Sequence, residues 1–126
     1  MPSYSGVWTL PAQMQAVGSG NWQYPPAYGL FGGGGGVGSE TNVIDYININ
    51  TTANAADFGD LTVSRNAPAA TGSLTRGVWG GGQNPSGFTN VVEYVTIMSV
   101  GNAIDFGDLT SARQSCSATS NGHGGL

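Results

Sequence analysis

The hexapeptide Asp-Phe-Gly-Asp-Leu-Thr occurs twice, at residues 57–62 and 105–110, an offset of 105 − 57 = 48 residues. The same offset carries Gly29-Leu30-Phe31-Gly32-Gly33-Gly34 onto Gly77-Val78-Trp79-Gly80-Gly81-Gly82, Asn42-Val43-Ile44-Asp45-Tyr46 onto Asn90-Val91-Val92-Glu93-Tyr94, and Arg65 onto Arg113. Laid over each other without a gap, residues 29–76 and 77–124 agree at 20 of 48 positions, so many residues fix the register. A period of this length marks a repeat architecture, in which each unit buries its apolar face against its neighbour. The chain divides into an N-terminal segment (1–28), a first repeat (29–76) and a second (77–126). Its last residues, Gly125-Leu126, align with Gly29-Leu30, where a third copy would begin.

Within each repeat the residues predict short strands joined by tight turns. Gly supplies 22 of 126 residues and charged residues only 8%, while Val, Ile, Thr and the aromatics gather in short runs, a balance that favours strands over long helices. An apolar strand runs into the glycines 32–36, which read as a turn. Residues 42–50 alternate as a strand with hydrophobic groups on both faces, as in a strand covered on both sides. A short strand over 57–62 follows, and a small-residue strand over 69–73 makes four per repeat. The second copy predicts strands at 76–79, 91–98 and 105–110, a loop containing Pro85 and Gly87, and a weak fourth strand at 116–121. Ahead of the repeats, Pro11 and Gly18 bracket a short helix over 11–17. The fold class is therefore all-β.

Composition excludes several function classes. The chain has no Lys, its basic residues are Arg65, Arg76 and Arg113, and its net charge is −4; nucleic acid, which requires clustered positive charge, is a poor partner. Cys116 is the only cysteine, which rules out an intrachain disulfide. No apolar run approaches the roughly 18 residues a spanning helix needs, and the N-terminus lacks the basic and apolar blocks of a secretion signal, so membrane insertion is not expected. Two short motifs are decoys. Asp57-Phe58-Gly59 and its copy spell a kinase magnesium motif without the lysine or catalytic loop a kinase needs. The glycine-rich run 32–38 lacks the Gly-Lys-Ser/Thr of a phosphate cradle. His123 stands alone among glycines.

Charge placement says more. Eight of the ten charged residues form equivalent pairs, Asp45 with Glu93, Asp57 with Asp105, Asp60 with Asp108 and Arg65 with Arg113. A catalytic site brings unlike groups together once, whereas a charge copied in every repeat performs one structural task per repeat. The expectation is that Arg65 and Arg113 bond a carboxylate of Asp57, Asp60, Asp105 or Asp108, or turn carbonyls, in their own or the adjacent unit, using the five fixed donors of the guanidinium. The same aspartates are hard-ion ligands that would suit calcium, but the sequence assigns no cofactor and no metal site, and it argues against an enzyme.

Val78-Trp79-Gly80-Gly81, Val91-Val92-Glu93-Tyr94 and Arg113, with their first-copy equivalents, resemble the kelch repeat of β-propellers, although Phe58 and Phe106 stand where a kelch blade usually carries Trp. Residues 6–16, Gly-Val-Trp-Thr-Leu-Pro-Ala-Gln-Met-Gln-Ala, with Asn21-Trp22, look like the N-terminal segment of tail-associated and appendage proteins of tailed bacteriophages, and the repeat resembles those in structural proteins of marine phages and cyanophages. The resemblance implies a structural virion protein, a tail-fibre or appendage component on the virion exterior. Trp8, Leu10, Gln13, Ala16 and Trp22 would anchor it to other virion proteins. Two repeats do not close a propeller of about 4–8 blades, so it also implies a homo-oligomer, with a trimer favoured, in which residues 116–121 add to a neighbour's first sheet. The alternatives are a capsid decoration protein, or a carbohydrate-binding module stacking a host-surface glycan on Trp79, Phe88 and Tyr94.

Overall fold

The computed structural model describes residues 27–36 and 38–122; the expected helix over 11–17, His123 and the anchor candidates Trp8, Leu10, Gln13, Ala16 and Trp22 lie outside them. The described residues are all β, with no helix among them. In chain order the strands are β1 (Tyr28–Gly32), β2 (Thr41–Asn48), β3 (Ala56–Arg65), β4 (Ala69–Gly72), β5 (Arg76–Gly80), β6 (Gln83–Asn84), β7 (Gly87–Phe88), β8 (Val91–Thr96) and β9 (Ile104–Asp108). They form three antiparallel sheets, β1-β2-β3, β4-β5-β8-β9 and the small hairpin β6-β7.

The sequence repeat survives as backbone geometry. Tyr28 pairs with Asn48 and Gly32 with Ile44; adding 48 to each number gives Arg76 with Thr96 and Gly80 with Val92, the observed β5-β8 register. Each repeat carries a bulge at the same place, Ile44/Asp45 and Val92/Glu93. The glycine turns also match. Gly33 and Gly81 have φ of 75° and 72°, Gly34 and Gly82 115° and 105°, a left-handed path that a Cβ would oppose. Along it, the N–H of Gly34 donates to Arg65 O and that of Gly82 to Arg113 O, both at 2.8 Å.

Sheets and sequence repeats are out of phase. β4 belongs to the first repeat by sequence but pairs with β5 of the second, Ala69 opposite Gly80 and Gly72 opposite Gly77. The second sheet thus has four strands and the first has three. The fourth strand expected at 116–121, the equivalent of β4 by offset, does not form, because β4 lies against β5 whereas 116–121 has no β5-like strand following it among the described residues. The loop around Pro85 contains the β6-β7 hairpin, which the sequence did not predict. Nor is β2 covered on both faces: Ile44 is buried while Val43 and Asp45 are exposed.

The core lies between the two large sheets. Ile44, Phe58 and Leu61 of the first meet Trp79 and Val95 of the second and Ala103 just ahead of β9, with Leu30 and Tyr46 packed against them. Gly32 makes room for the Trp79 indole: a Cβ there would lie 2.9 Å from Nε1. Edge-on ring contacts recur in both repeats, Tyr46 on Phe58 at 5.6 Å and Tyr94 on Phe106 at 5.8 Å. On the outside of β5, the Arg76 guanidinium sits 4.3 Å from the centre of the Tyr94 ring. Arg76 is exposed, so Arg76→Gln should lower stability by only about 0.5–1 kcal/mol, the worth of an exposed cation–π contact. Urea unfolding of this variant beside Tyr94→Leu and the double variant checks it, since a real contact makes the two losses non-additive.

Candidate functional site: the junction between the repeats

Arg65 ends β3 and reaches out of the first repeat into the second. Its side chain is fully buried. Nη1 donates to Gly81 O at 2.9 Å and to Val91 O at 3.2 Å, and Nη2 is paired with Glu93 Oε1. The other oxygen of Glu93 accepts the Thr62 N–H at 2.7 Å, so the carboxylate holds both the arginine and the backbone of β3. Neither charge touches solvent. Burial pulls the Arg65 pKa below its usual value, and the adjacent Glu93 carboxylate works in the opposite direction.

Backbone bonds stitch the same junction. Gly101 N–H donates to Phe58 O at 2.9 Å and Ala103 N–H to Asp60 O at 2.8 Å. Asp60 N–H donates to Asn102 Oδ1 at 3.0 Å. Asn66 and Gln83 exchange two further N–H···O bonds. The approach is close enough that Gly59, with φ of 152°, leaves no space for a side chain between its Cα and the Gly101 carbonyl.

Arg65 thus meets the turn carbonyls of the adjacent repeat, as its repetition suggested, but its carboxylate is Glu93 and not a member of the Asp-Phe-Gly-Asp segment. A register shift explains the difference. Ile44 lies opposite Gly59 but Asp45 opposite Asp57, so Phe58 is an extra residue in β3; it and Leu61, three residues apart, both reach the core, and Asp57 is set beside exposed Asp45. Asp57, Asp105 and Asp108 are exposed, and no group of three or more His, Cys, Asp or Glu side chains suited to a metal occurs among the described residues. Glu93 was legible only as one member of a repeated pair. The signal that marks it as a junction residue is a carboxylate between Val92 and Val95 in an otherwise apolar strand.

The second copy of each junction residue is placed differently. Arg113 is exposed, its guanidinium donating to Ser111 O at 3.4 Å and Thr110 Oγ1 at 3.5 Å within its own repeat. Phe58 is 1% exposed, its equivalent Phe106 58%. Trp79 is 3% exposed and offers no free ring face to a sugar, whereas its equivalent Phe31 is 60% exposed. Of the other stacking candidates, Phe88 is exposed on β7 and Tyr94 lies under Arg76. Beside Arg113, the second sheet bears an open groove of about 460 Å³, lined by Val78, Gly80, Val92, Leu109 and Cys116. Val78, Val92 and Leu109 are the equivalents of Leu30, Ile44 and Leu61, which pack in the core with Trp79, and Gly80 is the equivalent of Gly32, which the Trp79 indole covers.

No model of a known protein family and no curated protein matches the chain.

Proposed function

We propose that the chain is a structural virion protein of a tailed bacteriophage, a tail-fibre or appendage component whose kelch-like repeats complete a β-propeller by homo-oligomerisation. The observation that carries this reading is the Arg65–Glu93 junction. The recurring charge that can be followed into the interior locks one repeat onto the next, which is the task of a building element and not of a reaction centre. The virion exterior as its location rests on the resemblance of residues 6–16 and 21–22 to phage attachment segments. With β4 donated from the end of one repeat to the sheet of the next, residues 117–120 of one copy would complete the three-stranded β1-β2-β3 sheet of another, giving a ring of about six sheets from three chains. Exposed Phe88 is the stacking surface such a ring would offer a host glycan.

Immunogold labelling with antibody against the chain, applied to tailed particles purified from lysates of the host that produces it, tests the proposal. Label at the tail or its appendages is the expected result. Uniform label over the head would make it a capsid decoration protein, and unlabelled particles would overturn the virion assignment.

A further inference from the structure

Each repeat has two faces, and the intrachain junction shows how they fit. The first repeat presents a socket, formed by Ile44, Phe58, Leu61 and the Arg65 side chain, over the flat surface of Gly32. The second presents a knob, formed by Trp79, Glu93, Val95 and Ala103. Subtracting 48 from each knob residue gives Phe31, Asp45, Ile47 and Ala55 on the first repeat. Adding 48 to each socket residue gives Val92, Phe106, Leu109 and Arg113 on the second, over Gly80. Both sets stand open, as the exposures of Phe31 and Phe106 and the groove beside Arg113 show.

We infer that the open socket of the second repeat receives the open knob of the first repeat of another copy, reproducing the intrachain junction between chains. Phe31 of the incoming copy enters the groove over Gly80, as Trp79 lies over Gly32. Arg113 reaches Asp45, Gly33 O and Val43 O, as Arg65 reaches Glu93, Gly81 O and Val91 O. The backbone approach is prepared as well. Gly107 repeats the φ of Gly59, 151° against 152°, and a Cβ on it would meet nothing within 4 Å. That space is where the Ala53 carbonyl of the incoming copy stands, as the Gly101 carbonyl stands at Gly59. Asn54 is the counterpart of Asn102 and would accept the Asp108 N–H. Charge complementarity, cavity and backbone spacing thus specify one occupant, a second copy in head-to-tail orientation. Such an interface is heterologous and generates a ring or, if the rotation does not close, a filament.

The inference rests on the reading of the chain as a self-assembling structural protein, but its test needs no virion. The native mass of purified full-length chain is measured by analytical ultracentrifugation from low to high micromolar concentration, for wild type, Arg113→Asp and Asp45→Arg. Both substituted residues are exposed in the single chain, so both variants keep its near-ultraviolet circular dichroism. The wild type is expected to associate, and each variant to associate at least about 100-fold more weakly, the scale for an interface charge stripped of its partner. Mixing the two restores association at every contact between unlike variants, where either the Asp at 113 of one meets the Arg at 45 of the other or both residues are those of the wild type. A closed ring of three would need one contact between like variants, so the mixture is expected to give open or even-numbered assemblies. A monomeric wild type overturns the inference. So do variants that associate like wild type, or folded variants whose mixture stays monomeric. An oligomer indifferent to both charges leaves the structural reading standing and removes this interface. Charge-dependent assembly without label on virions does the reverse.

Discussion

Glu93→Ala is expected to lower the unfolding free energy by about 3–5 kcal/mol, because it leaves Arg65 charged and without its counter-ion in a site closed to water. The loss of an acceptor for the Thr62 N–H, which Glu93 holds at 2.7 Å, acts in the same direction. For a domain whose total stability is of the order of 5–15 kcal/mol, the variant would be close to half unfolded at the lower end of that range. Urea unfolding followed by tryptophan fluorescence measures it. Replacing both charges by apolar groups, Arg65→Met with Glu93→Leu, should recover most of the loss, since no buried charge then remains. Gly81 O and Val91 O lose their arginine donor and the Thr62 N–H its acceptor, which keeps the recovery incomplete by about 1–3 kcal/mol. Asp45→Ala, the same position one repeat earlier, should change the stability of the single chain by less than about 0.5 kcal/mol, the usual limit for an exposed surface site. A loss below about 1 kcal/mol at Glu93 would mean that the pair is hydrated in solution and that the junction is held by apolar contact alone.

That contrast between Glu93 and Asp45 also shows what the sequence could convey. The repeat register was fully legible, because identical residues at 48-residue spacing impose the same pairing, bulge and glycine turn in both copies. The positions of β1 to β5, β8 and β9 followed from it to within a few residues, whereas the β6-β7 hairpin and the absence of a strand at 116–121 did not. The environments of equivalent residues were not legible. Phe58 and Phe106 share the same hexapeptide, yet one is core and the other surface, since burial depends on which neighbour covers a face and local sequence carries no record of that. The partner of Arg65 was misplaced for a related reason. The hexapeptide aspartates are closer in sequence, but the register shift between β2 and β3 gives the inward places to Phe58 and Leu61, and the carboxylate that reaches Arg65 is the more distant Glu93, at the bulge of β8.

Gly59 and Gly107 convert this difference in environment into a measurement. Both occupy the same place in the hexapeptide, with φ of 152° and 151°, a conformation that costs a non-glycine residue about 1–3 kcal/mol. At Gly107 that is the whole penalty within one chain, because an added Cβ finds open space. At Gly59 the Cβ would overlap the Gly101 carbonyl oxygen and lie 2.5 Å from its carbon and 3.0 Å from the Asn102 nitrogen. These are backbone atoms, so the sheets themselves must separate. The bonds from Gly101 to Phe58 and from Ala103 to Asp60 would lengthen or break. Gly59→Ala should therefore be about 2–4 kcal/mol more destabilising than Gly107→Ala, from two weakened hydrogen bonds and the displaced core. Both are best introduced into Arg113→Asp, where assembly does not contribute, and unfolded in urea. Equal losses at the two glycines would show that the sheets stand further apart than the Gly59–Gly101 approach requires. In the wild-type background the order of effects on association is expected to invert. There Gly107→Ala blocks the place of the incoming Ala53 carbonyl and abolishes oligomers while the single chain stays folded.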